Sequence, residues 1–313
     1  MHIEPDRQGA VDDRTVLLDR MREVLGRAGL APPQGDGLRH PAAVELVHTV
    51  QRALRAGPLA PGRRQSLEAQ LAHVSQPLFG PADPQGHLKR SVGRALKAIP
   101  AAVGAGGQPV TAEVAVWRPA ERELLTEALS LLTRVWPESA VETREAVVEI
   151  ALLDGDAIDG FTDFTVHGGV FVNRARLTES GDGLPGPVRC AEALVHEGAH
   201  TRCNVAAVRK PFLLPERSAG TGSSQQDDLL VATPLRADRR PLTGLFQQTV
   251  VLTRSLLFYR RLGNLGTAVD ARRDRLLGSA RQAVDTLTDH AHKLTTPGQQ
   301  VLVECAAALE AAV

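Results

Sequence analysis

Only four of the 36 basic residues are lysines, a single residue is tyrosine, and aromatic residues make up 3% of the 313-residue chain. The arginine excess over lysine follows from coding bias and names no ligand. Net charge is absent as well: 36 basic and 36 acidic residues cancel, so no overall field draws the chain to nucleic acid or to anionic lipid. No apolar run approaches the length needed to span a bilayer, and the start, Met1-His2-Ile3-Glu4-Pro5-Asp6, lacks the basic-then-apolar pattern of a signal segment. The three cysteines, Cys190, Cys203 and Cys305, form an odd set without C-x-x-C spacing, which predicts reduced, buried thiols in a cytoplasmic protein. Cys190 and Cys203 stand thirteen residues apart on one predicted helix, roughly 20 Å, which excludes a disulfide between them. Neither coiled-coil heptads nor an aromatic-rich surface marks an oligomer contact, so the state of association stays open.

What is present is a globular composition. With 43% hydrophobic residues, the chain buries a sizeable core as one large domain or two smaller ones. Four amphipathic runs predict helices at 15–28, 41–56, 63–74 and 87–99, and the Gly/Ala-rich stretch 103–109 reads as a joint. The expected division is a helical N-terminal region, 1–108, and a second domain, 109–313. That domain begins with a helix at 119–135 and turns to β-prone runs at 146–153 and 161–172, where Gly168-Gly169 suggests a turn or bulge. Long helices are expected at 242–262 and 267–294, then a short one at 298–312. Residues 217–228 are too small and polar to pack, and read as a lid or plain disorder. The expected fold class is α+β, predominantly α-helical, with a small β-sheet beside a zincin-like metal-binding helix.

The chemistry concentrates at His196-Glu197-Gly198-Ala199-His200. Two imidazoles four residues apart project from one helix face and can grip a single ion, while Ala191, Leu194 and Val195 form an apolar stripe that seats the helix in a core. His48 and His73 have no partner at ligand spacing, and His290 and His292 point apart on a helix; ordinary structural roles are expected for all four. His167 stands on the last β run, as either a group approaching the metal or a solvated edge residue. Alone, H-E-x-x-H announces a zinc hydrolase with Glu197 as general base, which demands a third ligand downstream. The extended motif fails, since Cys203 and Ala206 occupy the Gly and His positions, and between Glu216 and Glu304 there is no glutamate. An aspartate remains: Asp227, Asp228 or Asp238. Only Asp238 lies in a dense polar run, Pro234-Leu235-Arg236-Ala237-Asp238-Arg239-Arg240-Pro241. Two His and one Asp form the facial triad of a non-haem Fe(II) oxygenase, and a neighbouring guanidinium offers the fork that grips a carboxylate. Surface ion pairing of these arginines with Asp238 is the competing explanation.

These segments resemble the H-E-x-x-H peptide-modification proteins of actinobacterial peptide natural-product clusters, a family of 2-oxoglutarate-dependent peptide β-hydroxylases. The resemblance covers roughly 135–262. It rests on Val135-Trp136-Pro137, Gly169-Val170-Phe171-Val172, Leu194-Val195 with the H-E-x-x-H run, and Arg236-Ala237-Asp238-Arg239-Arg240-Pro241-Leu242-Thr243-Gly244-Leu245. Two departures stand out: Leu235 where relatives commonly have Trp, and Gln247 where they often have His. The resemblance implies an Fe(II)- and 2-oxoglutarate-dependent dioxygenase acting on a ribosomally synthesised precursor peptide, with His196, His200 and Asp238 on the iron. Arg240, with Arg236 as substitute, would hold the co-substrate, and Glu197 would fix an imidazole or a metal-bound water. The region before 109 would recognise a leader peptide or another enzyme of the pathway. The rival readings are a zinc metallopeptidase with Glu197 as base, and a degenerate relative that binds peptide without chemistry.

Overall fold

A computed structural model describes residues 1–99, 110–215, 229–234, 236–263 and 265–311, with the side chains of 236–238 also outside the description. The joint expected at 103–109 and the segment 217–228 lie outside the described residues, as do Glu216, Asp227, Asp228 and Leu235. The chain is predominantly helical with a small mixed sheet.

The first helices are α1 (Arg7–Arg27), α2 (Pro41–Ala56), α3 (Pro61–Ala72) and α4 (Gly86–Ala98), with strand β1 (Gly80–Ala82) between the last two. There follow β2 (Glu113–Ala115), α5 (Pro119–Val135), α6 (Pro137–Ala146), β3 (Glu149–Asp154), β4 (Gly160–Thr162) and β5 (Gly169–Asn173). The chain then forms α7 (Gly186–Arg209), β6 (Leu230–Thr233), β7 (Arg236–Pro241), α8 (Leu242–Leu262), α9 (Thr267–Asp289) and α10 (Thr296–Glu310). Helices α2, α3, α5 and α6 begin at proline, whose fixed φ suits a first turn and whose missing N–H is no loss there. Helix α6 and strands β1, β2, β6 and β7 carry no periodic pattern of useful length and were not expected. Helix α1 starts two turns before the expected position, and α9 stops at Asp289, short of the expected 294.

Strand β3 pairs in parallel with β1 and β5 and antiparallel with β2, and β4 pairs antiparallel with β5 at the sheet edge. Both faces of β3 and β5 are covered. Ile150, Leu152, Val170 and Val172 point into a core shared with α5, α7 and α8, while Ala151, Leu153 and Phe171 point into a second core closed by Leu88 and Val92 of α4. The parallel pair therefore reads as continuous apolar sequence.

Helix α7 runs along the first of these faces, with Cys190, Ala191, Leu194 and Val195 buried as the apolar stripe requires. On its other side Arg202 is fully buried, donating to Asp13 of α1 at 2.6 Å and to Glu142 of α6 at 3.3 Å. Arg254 of α8 also pairs with Glu142 and donates to the carbonyls of Ile3 and His2, both at 3.0 Å. This charged knot ties α1, α6, α7 and α8 together. Gly198 allows α6 its close approach, since a Cβ there would lie 3.3 Å from the Thr143 hydroxyl. The cysteines are free and buried, and burial pushes all three thiols up to about 12, so they stay protonated. No described helix is long and apolar enough to cross a membrane.

Candidate functional site

The middle of α7 faces a cleft of about 930 Å³ bordered by His196, Glu197, His200, Gln247 and Arg240, with strand β4, Arg94 and Asp163 also in its lining. The rings of His196 and His200 lie 5.1 Å apart between centroids, tilted by 63°. They share a helix face and open onto the same space, as spacing of four dictates.

Burial holds both imidazoles below their ordinary value. For His196 the neighbouring His200, Arg176 and Arg272 lower it further, whereas a hydrogen bond to Gln247 opposes the effect at His200. Both rings are therefore neutral at pH 7, the form a metal needs. The amide oxygen of Gln247 lies 2.9 Å from His200 Nδ1, and the Gln247 amide nitrogen donates to Asn204 at 2.9 Å. An acceptor at Nδ1 places the ring proton there and leaves the Nε2 lone pair free, the usual device for orienting a ligating histidine. Gln247, a departure from the resembled motif, thus performs an orienting task in this chain.

Glu197 is 4% exposed, and burial raises its carboxyl from 4.5 to about 8, with Arg176 partly opposing and Asp159 reinforcing the shift. Its Oε2 is buried without a hydrogen-bond partner. The other oxygen abuts β4: a Cβ on Gly160 would come within 2.8 Å of it and 3.1 Å of the Phe171 carbonyl. A side chain at position 160 would displace the Glu197 carboxyl. One turn earlier on α7, Glu192 borders the cleft but is fully engaged. Tyr259 donates to it at 2.7 Å, and the Arg272 guanidinium grips both of its oxygens.

Among the described residues, no third His, Cys, Asp or Glu completes a ligand set with His196 and His200. Asp238 and Arg236 are on β7, but their side chains are outside the description. Arg240, on the same strand, borders the cleft, with its Cβ 3.7 Å from where a Cβ on Gly244 would sit. His167 is neither a cleft residue nor a solvated edge residue. It is 8% exposed, beside Phe164, and burial lowers it to about 4. His73 bonds the Ala69 carbonyl and His48 packs on Phe164, ordinary structural roles.

One cluster escaped sequence reasoning: His40, His87 and Glu149, all buried, place their ligand atoms within 4.8 Å of one another. They are separated by 47 and 62 residues, so no local spacing advertises them. Comparison with protein-family models and with curated proteins returned no match.

Proposed function

We propose that this cleft is the active site of an Fe(II)- and 2-oxoglutarate-dependent enzyme that hydroxylates a β-carbon in a ribosomally synthesised precursor peptide. The observation that carries the reading is that Arg240, from the Arg-x-Asp-x-Arg-Pro segment, borders the same cleft as His196 and His200. Two motifs forty residues apart in sequence thereby serve one cavity. Asp238 stands two positions before Arg240 on β7 and is the carboxylate nearest in sequence to that cleft-bordering arginine, which supports Asp238 as third ligand.

The site's chemistry fits an iron of this class. Two neutral imidazoles, one with its Nε2 lone pair directed by Gln247, form the nitrogen part of a facial triad. When bound, iron and 2-oxoglutarate supply oxidative decarboxylation to succinate and CO₂, and with O₂ the oxidising power for hydroxylation. The protein's own part is positioning. Arg240, with Arg236 as substitute, receives the distal carboxylate of the co-substrate; Glu197, largely protonated near neutrality, offers a hydrogen bond to a metal-bound water or substrate oxygen. The cleft exceeds what a five-carbon diacid fills and leaves room for a peptide segment. The reduced, buried cysteines suit the cytoplasm as its compartment.

A second reading is favoured by one observation. Glu197 Oε2, buried and unpartnered, is where a zinc peptidase keeps its general base. The two readings are separated by supplying Fe(II), 2-oxoglutarate and air, or zinc alone, to metal-free protein with candidate precursor peptide. A peptide heavier by about 16 Da, one oxygen, with matching succinate supports hydroxylation, and cleaved peptide with zinc supports the peptidase. Peptide binding with neither product supports a degenerate relative. Full iron binding by His196→Ala, or undiminished turnover by Asp238→Ala, refutes the ligand set.

A further inference from the structure

Glu149, the first residue of β3, is 4% exposed, and the only basic groups within 4 Å of its carboxylate among the described residues are two imidazoles. His87, at the start of α4, lies 2.6 Å away through Nε2, and His40, the residue capping α2, lies 3.5 Å away through Nε2. Both rings are buried, at 4% and 6% exposure, and meet edge to face with centroids 5.6 Å apart. The Gln85 amide donates to Oε1 at 3.1 Å. A carboxyl group withdrawn from water is stabilised by a cation or a metal beside it, and among the described residues no lysine or arginine lies within 4 Å of it. Two convergent imidazoles and one carboxylate oxygen are, in addition, a donor set suited to zinc.

We propose that His40, His87 and Glu149 hold a zinc-like divalent cation, a second metal site separate from the cleft and independent of what the cleft does. Tetrahedral zinc with bonds of about 2.1 Å asks for donor atoms about 3.4 Å apart. His40 Nε2 lies 3.5 Å from Glu149 Oε1 and His87 Nε2 lies 2.6 Å from Oε2, and one ligand atom from each residue already falls within 4.8 Å of the other two, so the set closes on an ion with shifts on the order of 1 Å. Water, or the Gln85 carbonyl after an amide flip, completes the fourth position.

Loading has a local cost that identifies it. His40 Nδ1 now accepts the Ala42 N–H at 3.2 Å, so the ring proton sits on Nε2. A metal at Nε2 shifts that proton to Nδ1 with the ring still neutral, and Ala42 loses its acceptor. Because Ser91 and Arg94 follow His87 by one and two turns on α4 and border the cleft, the ion fastens that wall to the sheet.

The test uses the full chain carrying His196→Ala and His200→Ala, which removes the cleft ligands. After chelation, zinc alone is titrated and bound metal is counted by elemental analysis. One equivalent is expected at micromolar zinc, and none once Glu149→Gln or His87→Gln is added. The Ala42 amide resonance, followed in the cluster-intact double variant, is expected to move in step with that equivalent, and this readout needs no cluster substitution to fold. A folded double variant that binds no zinc, zinc binding that survives Glu149→Gln and His87→Gln, or an Ala42 amide unmoved at saturation, overturns the site and leaves a hydrogen-bonded clamp.

Discussion

Glu197→Gln should make the metal-free protein more stable, increasingly so as pH rises. The carboxyl is 4% exposed and its value is raised from 4.5 to about 8 by burial, so the folded state holds its proton more tightly than the unfolded state does. The stability contributed by that proton is fully present below pH 4.5 and is lost as pH climbs through 8. Glutamine keeps the shape and has no proton to lose. At 1.36 kcal/mol per pH unit, the variant's advantage is about 1 kcal/mol at pH 5, about 3 at pH 7 and nearly 5 at pH 9. Every other titrating group is common to both proteins and cancels in the difference. Urea unfolding of both proteins with a chelator present, at these three pH values, reads the quantity directly. A difference flat to within about 0.5 kcal/mol between pH 5 and pH 9 would refute the claim that Glu197 is buried as an acid.

Gln247→Leu removes the acceptor that orients His200, and metal affinity at the cleft is expected to fall about 10- to 100-fold in a competition titration, with the fold intact by circular dichroism. Glu142→Ala leaves the buried Arg254 guanidinium without a carboxylate and Arg202 with Asp13 alone, and should cost about 3–5 kcal/mol in urea unfolding; a loss under 1 kcal/mol contradicts the knot's role. Gly160→Ala drives a methyl against the Glu197 carboxyl, and is expected to cost about 1–3 kcal/mol in the parent but clearly less in a Glu197→Ala background. Equal cost in both backgrounds would place the clash elsewhere, on the Phe171 carbonyl.

Much of the helical framework was legible because periodicity and proline are local signals. The runs 41–56, 119–135 and 242–262 coincide with α2, α5 and α8 to the residue. The short strands were not legible: three residues of β1 or β2 carry no alternation, and β7, with four charged residues of six, read only as a polar run. His196, Glu197 and His200 announced themselves because their partnership is internal to one helix. The orienting role of Gln247 was hidden, since it depends on α8 crossing α7.

Local sequence by itself determined the shared face of His196 and His200 on α7, its apolar seat and most helix boundaries, for these depend on spacings of three and four residues along one element. Tertiary structure alone decided that Glu197 is buried, that β4 leaves room for it only through Gly160, and that Arg240 shares its cleft. It also gathered His40, His87 and Glu149 around one point. Burial and convergence are properties of elements packed against one another, and pairs brought together from dozens of residues apart leave no periodic trace in the chain.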